Sequence, residues 1–254
     1  MKLLPFLLRA AAVLPSTLAI SLAYVPWDVP NNDIKHVIFP MNIAKAPHQR
    51  GYYFVQYFIL NGQVSGSYIG LQPQDDGTIR AAFSTFINGS TTSDGNCRRG
   101  AKSRGVNCLV DFRGTYAHTY NLDVRNSEGS TWTGTVIDTV TGISTHIGTF
   151  TLLSGSETTL AWHRGLVVYL LPSTDPSTEL PNTSVKFGVP KTDAGVGILK
   201  DPYEAAAFAG HDNFKFTRTA DNEVDISVGS PASLKATFRS QTQPEEDYGI
   251  ANGL

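Results

Sequence analysis

The 254-residue sequence predicts an all-β protein, a jelly-roll-like β-sandwich in a single domain, preceded by a cleavable N-terminal signal peptide. Three observations carry that prediction. Many short runs alternate apolar and polar residues with the two-residue period of a strand. Turn-forming residues collect between those runs, and the chain holds 23 Gly and 14 Pro. One stretch, residues 51–86, reads as three consecutive strands joined by Asn61-Gly62 and Asp76-Gly77, dipeptides that tolerate the positive φ of tight hairpins.

At the N-terminus Lys2 and Arg9 flank a leucine-rich start, and residues 10–22 are apolar and uncharged. This run is short and interrupted by proline, which argues against a membrane span. Ser21 and Ala23 supply small residues at the −3 and −1 positions of a cut after Ala23; a cut after Ala19 is the alternative. Residues 1–23 are thus read as signal peptide, 24–240 as the sandwich, and 241–254, with Glu245-Glu246-Asp247, as a loose tail. No second apolar run of membrane length follows, so the mature protein is expected to be extracellular, with no membrane association after cleavage.

Residues 24–30 and 34–40 read as short edge strands cut by prolines. In the run 52–59, one face is Tyr53, Val55, Tyr57 and Ile59, and the other is Tyr52, Phe54, Gln56 and Phe58. Both are apolar or aromatic, so this strand is central and covered on both sides. Residues 67–72 place Ile69 and Leu71 on a core face against Tyr68, Gly70 and Gln72. Residues 79–86 place Ile79, Ala81 and Phe83 against Arg80, Ala82 and Ser84. A polar cysteine loop follows, then 109–112. Residues 116–125 alternate with Tyr120, Leu122 and Val124 inward, and 130–138 with Trp132 and Val136 inward. A turn at 139–142 leads into 143–153, and 166–171 is another buried run. The Pro/Ser/Thr segment 172–181 is a soft boundary. Beyond it 183–189, 213–218, 223–228 and 233–239 are strand-like, and alanine-rich 203–209 is the one helical candidate.

Composition narrows the function classes. A net charge of −2 with no basic stripe argues against nucleic acid as a partner. Cys97 and Cys108 are the only cysteines, and in an oxidising compartment they are expected to form a disulfide. Closing a loop of that size gives about 3 kcal/mol in the chain-entropy account. Asn88-Gly89-Ser90 and Asn182-Thr183-Ser184 are glycosylation acceptors. GxSxG, HExxH, GxxxxGK and CxxC are all missing, and the six histidines are scattered, so neither a metal nor a cofactor is expected. Asp75-Asp76-Gly77 and Asp221-Asn222-Glu223 read as solvated turns rather than calcium ligands.

The candidate ligand-binding residues come from strand faces. Gln56, Tyr68, Gln72, Arg80 and Ser84 are expected to share one surface, extended by Asn121, Asp123 and Arg125, with Gly70 and Ala82 leaving room for a ligand. Amides, a guanidinium and an aromatic ring suit a sugar, whose hydroxyls hydrogen-bond and whose apolar face stacks. An ordinary solvated sheet face is the alternative for Asn121, Asp123 and Arg125; for Gln56 it is an amide hydrogen-bonded inside the core. Three function classes follow. Binding of an extracellular polysaccharide leads, and a non-catalytic interaction or structural protein is the second. The third is a polysaccharide lyase in which Arg80, Gln56 and Gln72 neutralise a uronate while Tyr68 or His118 moves the proton. A glycoside hydrolase lacks its second carboxylate there, Asp123 being the only acid.

The blocks YYFVQYF, GSYIGLQPQDDG, AAFSTF, CRRGAKSRGVNCLVDFRGTYAHTYNLDVR and TWTGTVIDTVTGISTHIGTF, continuing through TSVKFGVP, resemble secreted bacterial and fungal proteins grouped as a domain of unknown function. The resemblance covers most of the mature chain. It implies secretion and a β-rich domain, and transfers no functional residue.

Overall fold

The computed structural model of the protein describes residues 17–29, 33–100, 104–153, 155–172, 180–205 and 214–229. Eighteen strands and no helix occur among them. In chain order these are β1 (Thr17–Asp28), β2 (His36–Asn42), β3 (Tyr52–Leu60), β4 (Ser67–Pro73) and β5 (Ile79–Asn88). Next come β6 (Cys97–Arg99), β7 (Arg104–Phe112), β8 (Thr119–Glu128), β9 (Thr131–Asp138), β10 (Ser144–Thr151) and β11 (Thr159–Pro172). β12 (Thr183–Phe187) is followed by four two-residue strands, β13 (Lys191–Thr192), β14 (Gly195–Val196), β15 (Ile198–Leu199) and β16 (Tyr203–Glu204). β17 (Lys215–Arg218) and β18 (Val224–Val228) complete the series.

They form two antiparallel sheets packed as a sandwich. The first has the order β15-β1-β11-β3-β4-β5-β7-β6, with β16 also on β1. The second has the order β10-β9-β8-β2-β12-β18-β17, with β13 and β14 appended to β2. The expected hairpins β3-β4 and β4-β5 are present, and Gly62 and Gly77 adopt φ of 77° and 76° at their turns. Alternation gave the core correctly: Ile69, Leu71, Ile79, Ala81, Phe83, Tyr120, Leu122, Val124, Trp132 and Val136 are all buried between the sheets. β3 lies between β11 and β4 and is buried on both faces, as its two apolar faces require.

Several elements differ from the sequence reading. β1 begins at Thr17, inside the segment read as leader, and pairs with β11 from Thr17↔Pro172 to Asp28↔Trp162. Leu22 and Ala23 are fully buried, and a cut after Ala23 would remove the half of β1 that lies against residues 167–172. β2 is not an edge strand but sits between β8 and β12. Its Pro40 is tolerated because pairing to β12 stops at Met41 and resumes on β13 at Ile38, and Pro40 faces that gap. There the Pro40 carbonyl accepts the Gly188 N–H at 2.8 Å, and no donor is asked of the proline nitrogen. The cysteine loop is a hairpin, β6 on β7; its polar composition reflects an edge, solvated on the side away from β7. Tyr203 and Glu204 pair with Tyr24 and Ala23 as a strand instead of opening a helix. Residues 206–209, the expected strand 233–239 and the tail 241–254 lie outside the described residues, as does 173–179 of the soft boundary.

The disulfide forms as expected, across the directly opposed pair Cys97↔Cys108. It also touches the second sheet. Gly148 of β10 and Gly134 of β9 are paired with each other and face the core. A Cβ on Gly148 would lie 2.4 Å from Cys108 Cβ and 2.5 Å from each sulfur, and a Cβ on Gly134 would lie 2.4 Å from Phe83 Cγ. Two missing side chains therefore let the disulfide and the Phe83 ring, itself stacked on Phe150 at 4.8 Å, reach the backbone of the opposite sheet.

The β8–β9–β10 corner is closed by Asp138. His118 Nδ1 lies 2.8 Å from Asp138 Oδ2, and Oδ1 accepts the Val140 N–H at 2.9 Å. Burial works against the charged carboxyl, but these bonds outweigh it and hold the group at about 2.

Gly148→Ala is expected to cost about 1–3 kcal/mol by overpacking, whereas Gly95→Ala, where nothing lies within 4 Å, should stay within about 0.5 kcal/mol. Urea unfolding of both variants checks this, and equal midpoints would refute the close approach. Because the folded value of Asp138 lies below the ordinary carboxyl value of about 3.9, its contribution is present above about pH 4 and is lost as pH falls toward about 2. Asp138→Asn should therefore be less stable than the parent at pH 6, with the gap closing between about pH 4 and pH 2. Denaturation series across that range measure it, and a constant gap would refute the role of the ionised form.

Candidate functional site

The register of the first sheet arranges its outer face in rows that cross the strands. One row runs Arg164, Tyr57, Tyr68, Ser84 and Asn107, from β11 through β3, β4 and β5 to β7. The next runs Leu166, Val55, Gly70, Ala82 and Leu109. A third joins Val168 to Tyr53 on β11 and β3, and Gln72, Arg80 and Asp111 on β4, β5 and β7. The face is thus an apolar strip between two rails that carry hydrogen-bonding groups. Five strands at about 4.8 Å spacing make it about 19 Å across.

Most of the polar groups on the β7 side hold one another. Ser84 Oγ donates to Asn107 Oδ1 at 2.6 Å. Arg80 forms a two-pronged bond to Asp111, Nε to Oδ1 at 2.7 Å and Nη2 to Oδ2 at 2.8 Å. Tyr53 and Tyr68 meet edge to face, with ring centroids 5.7 Å apart. Their hydroxyls are buried beside each other and near Ser84, and neither completes a hydrogen bond of ordinary geometry. Burial pushes both phenols above their ordinary value, Tyr53 furthest because it also faces Tyr68, so both are neutral donors at ordinary pH. The rim is open toward β7, where Arg80 and Asn107 are half-buried and Leu109 and Asp111 are exposed. At the β1 side Tyr24 stacks on Tyr203 at 5.1 Å, and the Arg164 guanidinium lies 5.5 Å above the Tyr24 ring.

Four of the predicted residues, Tyr68, Gln72, Arg80 and Ser84, lie on this face. Gln56 does not. It belongs to the inner face of β3, fully buried, where its Oε1 accepts the Trp27 Nε1–H at 3.1 Å. The Trp27 ring packs on His163 at 4.4 Å, so Gln56 is the core amide that the sequence left as the alternative. Asn121, Asp123 and Arg125 sit on β8, in the second sheet, pointing away from its core. Asp123 Oδ2 lies 2.8 Å from His36 Nε2 and 3.4 Å from Arg125 Nη2. The sandwich separates these three from the other group. Gly70 does not leave space for a ligand either, because a Cβ there would lie 2.9 Å from Tyr53 Cε2. The Tyr53 ring occupies that position.

These placements remove the lyase arrangement. Gln56 faces the interior, Arg80 is already paired with Asp111, and Tyr68 is pushed away from the basic form that proton abstraction needs. Tyr53, Tyr57, Asn107, Asp111 and Arg164 are the members of the face that strand-by-strand reading missed. Alternation counted outward from the disulfide would have found two of them: Cys108 faces the core, so Asn107 and Asp111 face out.

Among the described residues no group of three or more His, Cys, Asp or Glu is placed to hold a metal ion. Three of the histidines pair singly with aspartates at separate points: His36 with Asp123, His118 with Asp138, and His146 with Asp94. Asp76 caps its own turn through Thr78, and Asp75 pairs with Arg50 at 3.1 Å. Asn222 has φ of 60° in a turn before β18.

No model of a known protein family matches the chain, and no curated protein matches it. Solved structures similar in fold include scytalido-glutamic peptidase bound to a peptide-based transition-state analogue. It is 12% identical with a TM-score of 0.47, over 83% of this chain and 99% of that one. SCP-B, a member of the eqolisin family of peptidases, is 11% identical with a TM-score of 0.46 over the same shares. The enzymatically active domain of bacteriophage CBA120 tailspike protein 2 is 9% identical with a TM-score of 0.34, over 78% of this chain and 29% of that chain. Likeness at this level carries no residue role and no activity to this chain.

Proposed function

We propose that this protein binds extracellular carbohydrate on the outer face of its first sheet. One observation carries the reading: at the open β7 end of this face exposed Leu109 lies between Asn107 and the Arg80–Asp111 pair, and the buried Tyr53 and Tyr68 hydroxyls behind it lack completed hydrogen bonds. A pyranose has this character, with apolar C–H faces and a rim of hydroxyls that both donate and accept. Asp111 balances the Arg80 guanidinium through two bonds and the phenols are uncharged, while Arg98 of β6, opposite Asn107, is an exposed guanidinium at that edge that can also meet an acidic sugar. Ligand enters from β7, over Leu109 and between Asn107 and Arg80. An extracellular setting is supported by the Cys97–Cys108 bond and by the exposure of both acceptor asparagines, Asn88 and Asn182.

A glycan array probed with the purified protein should show saturable retention on a defined set of oligosaccharides. Loss of one hydroxyl in Tyr68→Phe should weaken binding by about two- to tenfold, the worth of one hydrogen bond. Asp111→Asn, which frees Arg80, should gain affinity for acidic glycans. No retention on any saccharide would overturn the reading and leave a non-catalytic interaction protein in its place.

A further inference from the structure

Charge is unevenly placed along the chain. The whole sequence has a net charge of −2, yet between Asp94 and Asp111 it holds Arg98, Arg99, Lys102 and Arg104 and no acid. Apart from 101–103, which lie outside the described residues, this stretch includes β6 and most of β7, the hairpin at the open end of the candidate saccharide face. Arg50, Arg80, Arg125 and Arg218 have aspartate partners. Arg98, Arg99 and Arg104 are exposed and belong to no ion pair among the described residues. The flanking acids are committed elsewhere, Asp94 to His146 at 2.6 Å and Asp111 to Arg80 at 2.7 Å.

Register shows where these cations stand. Cys97 is directly opposite Cys108, and Cys108 faces the core. The next pair, Arg98 and Asn107, therefore faces outward. It carries the row Arg164, Tyr57, Tyr68, Ser84 and Asn107 one strand further, so that row ends in a guanidinium at the edge of the sheet. Arg99 follows on β6, and the Gly100 N–H donates to the Gly105 carbonyl at 3.1 Å, which brings the chain at Arg104 back alongside. The disulfide fixes the strand one residue before Arg98. A guanidinium is a planar fork that takes a carboxylate or sulfate through two parallel hydrogen bonds. No acid of the described chain occupies these three forks.

We propose that the β6–β7 edge makes the saccharide site selective for acidic glycans. Arg98 takes a uronate or sulfate group on the sugar beside Asn107, and Arg99 and Arg104 take further charges of the same glycan beyond the edge. This rests on the saccharide reading of the face and adds the charge class of the ligand.

The test applies the whole protein to immobilised oligogalacturonate, dextran sulfate, dextran and cello-oligosaccharides, with oligothymidylate as a polyanion that is not a glycan. Retention on oligogalacturonate or dextran sulfate should exceed that on the neutral glycans by about tenfold, and should fall as salt is raised. The stronger of the two acidic probes tells carboxylate from sulfate. Changing Arg98→Gln and Arg99→Gln together should remove about tenfold of that retention and leave the urea midpoint unchanged. Lys191→Gln, the same loss of charge on the second sheet, should leave retention as it was. Neutral glycans held as well as acidic ones would overturn this inference and leave the saccharide reading standing, whereas no retention on any glycan would overturn both. Oligothymidylate held as strongly as the acidic glycans would overturn it too. So would a doubly substituted protein that binds as the parent does, which would leave these arginines as charges that guard an edge strand from pairing.

Discussion

β3 has no wet face, and that constraint shapes what surrounds it. A strand dry on both sides must pair its backbone on both edges, which β11 and β4 do. Any polar side chain on it must also find its partner inside the protein. The Oε1 of Gln56 does so with Trp27, and that bond ties β3 to β1 across the intervening β11, while the Gln56 Nε2 is buried without a partner. Trp132, also deeply buried, meets the same demand by donating to the Ser156 carbonyl at 2.9 Å. With its even residues committed to the core between the sheets, β3 turns Tyr53, Val55 and Tyr57 outward. Those residues form a buried aromatic layer behind the open β7 end of the candidate binding face.

The polar half of that face depends on how β7 is held. Asn107 and Asp111 reach Ser84 and Arg80 only because β7 pairs with β5 in the register Phe83↔Cys108. The disulfide fixes β6 to β7 at that same residue, and Gly148 lets the sulfurs rest on the second sheet. A slip of one residue would turn Asn107 and Asp111 into the core and bring Cys108 out, breaking the disulfide packing and both polar contacts at once. The covalent staple and the candidate site are therefore two faces of one strand's register.

Electrostatics divides the two sides of the sandwich. On the outer face of the first sheet near β7, Arg80 is balanced by Asp111, the buried phenols stay neutral, and Arg98 stands exposed at the β6 edge. On the other sheet, aspartates pair with histidines along β8, β9 and β10, and lysines gather beside β12 and β18.

Taken alone, the sequence determined the all-β class, the hairpins around Asn61-Gly62 and Asp76-Gly77, the doubly buried central strand and the disulfide. Each of these is set by local chemistry: a two-residue period, a positive-φ dipeptide, or a lone pair of cysteines. It also placed Tyr68, Gln72, Arg80 and Ser84 on one surface, because they sit on strands joined by short turns whose register is fixed locally. What it left open was long-range. Alternation says that Asp123 and Arg80 both face outward, yet it is silent on which sheet holds each strand, and β8 pairs with β2 rather than with β4 or β5. It likewise leaves undecided which of two apolar faces of β3 is the inner one, and that choice sends Gln56 into the core and Tyr53 outward. Pairing between strands distant in the chain carries no periodic signature. Only the packing of two complete sheets decided which polar groups meet.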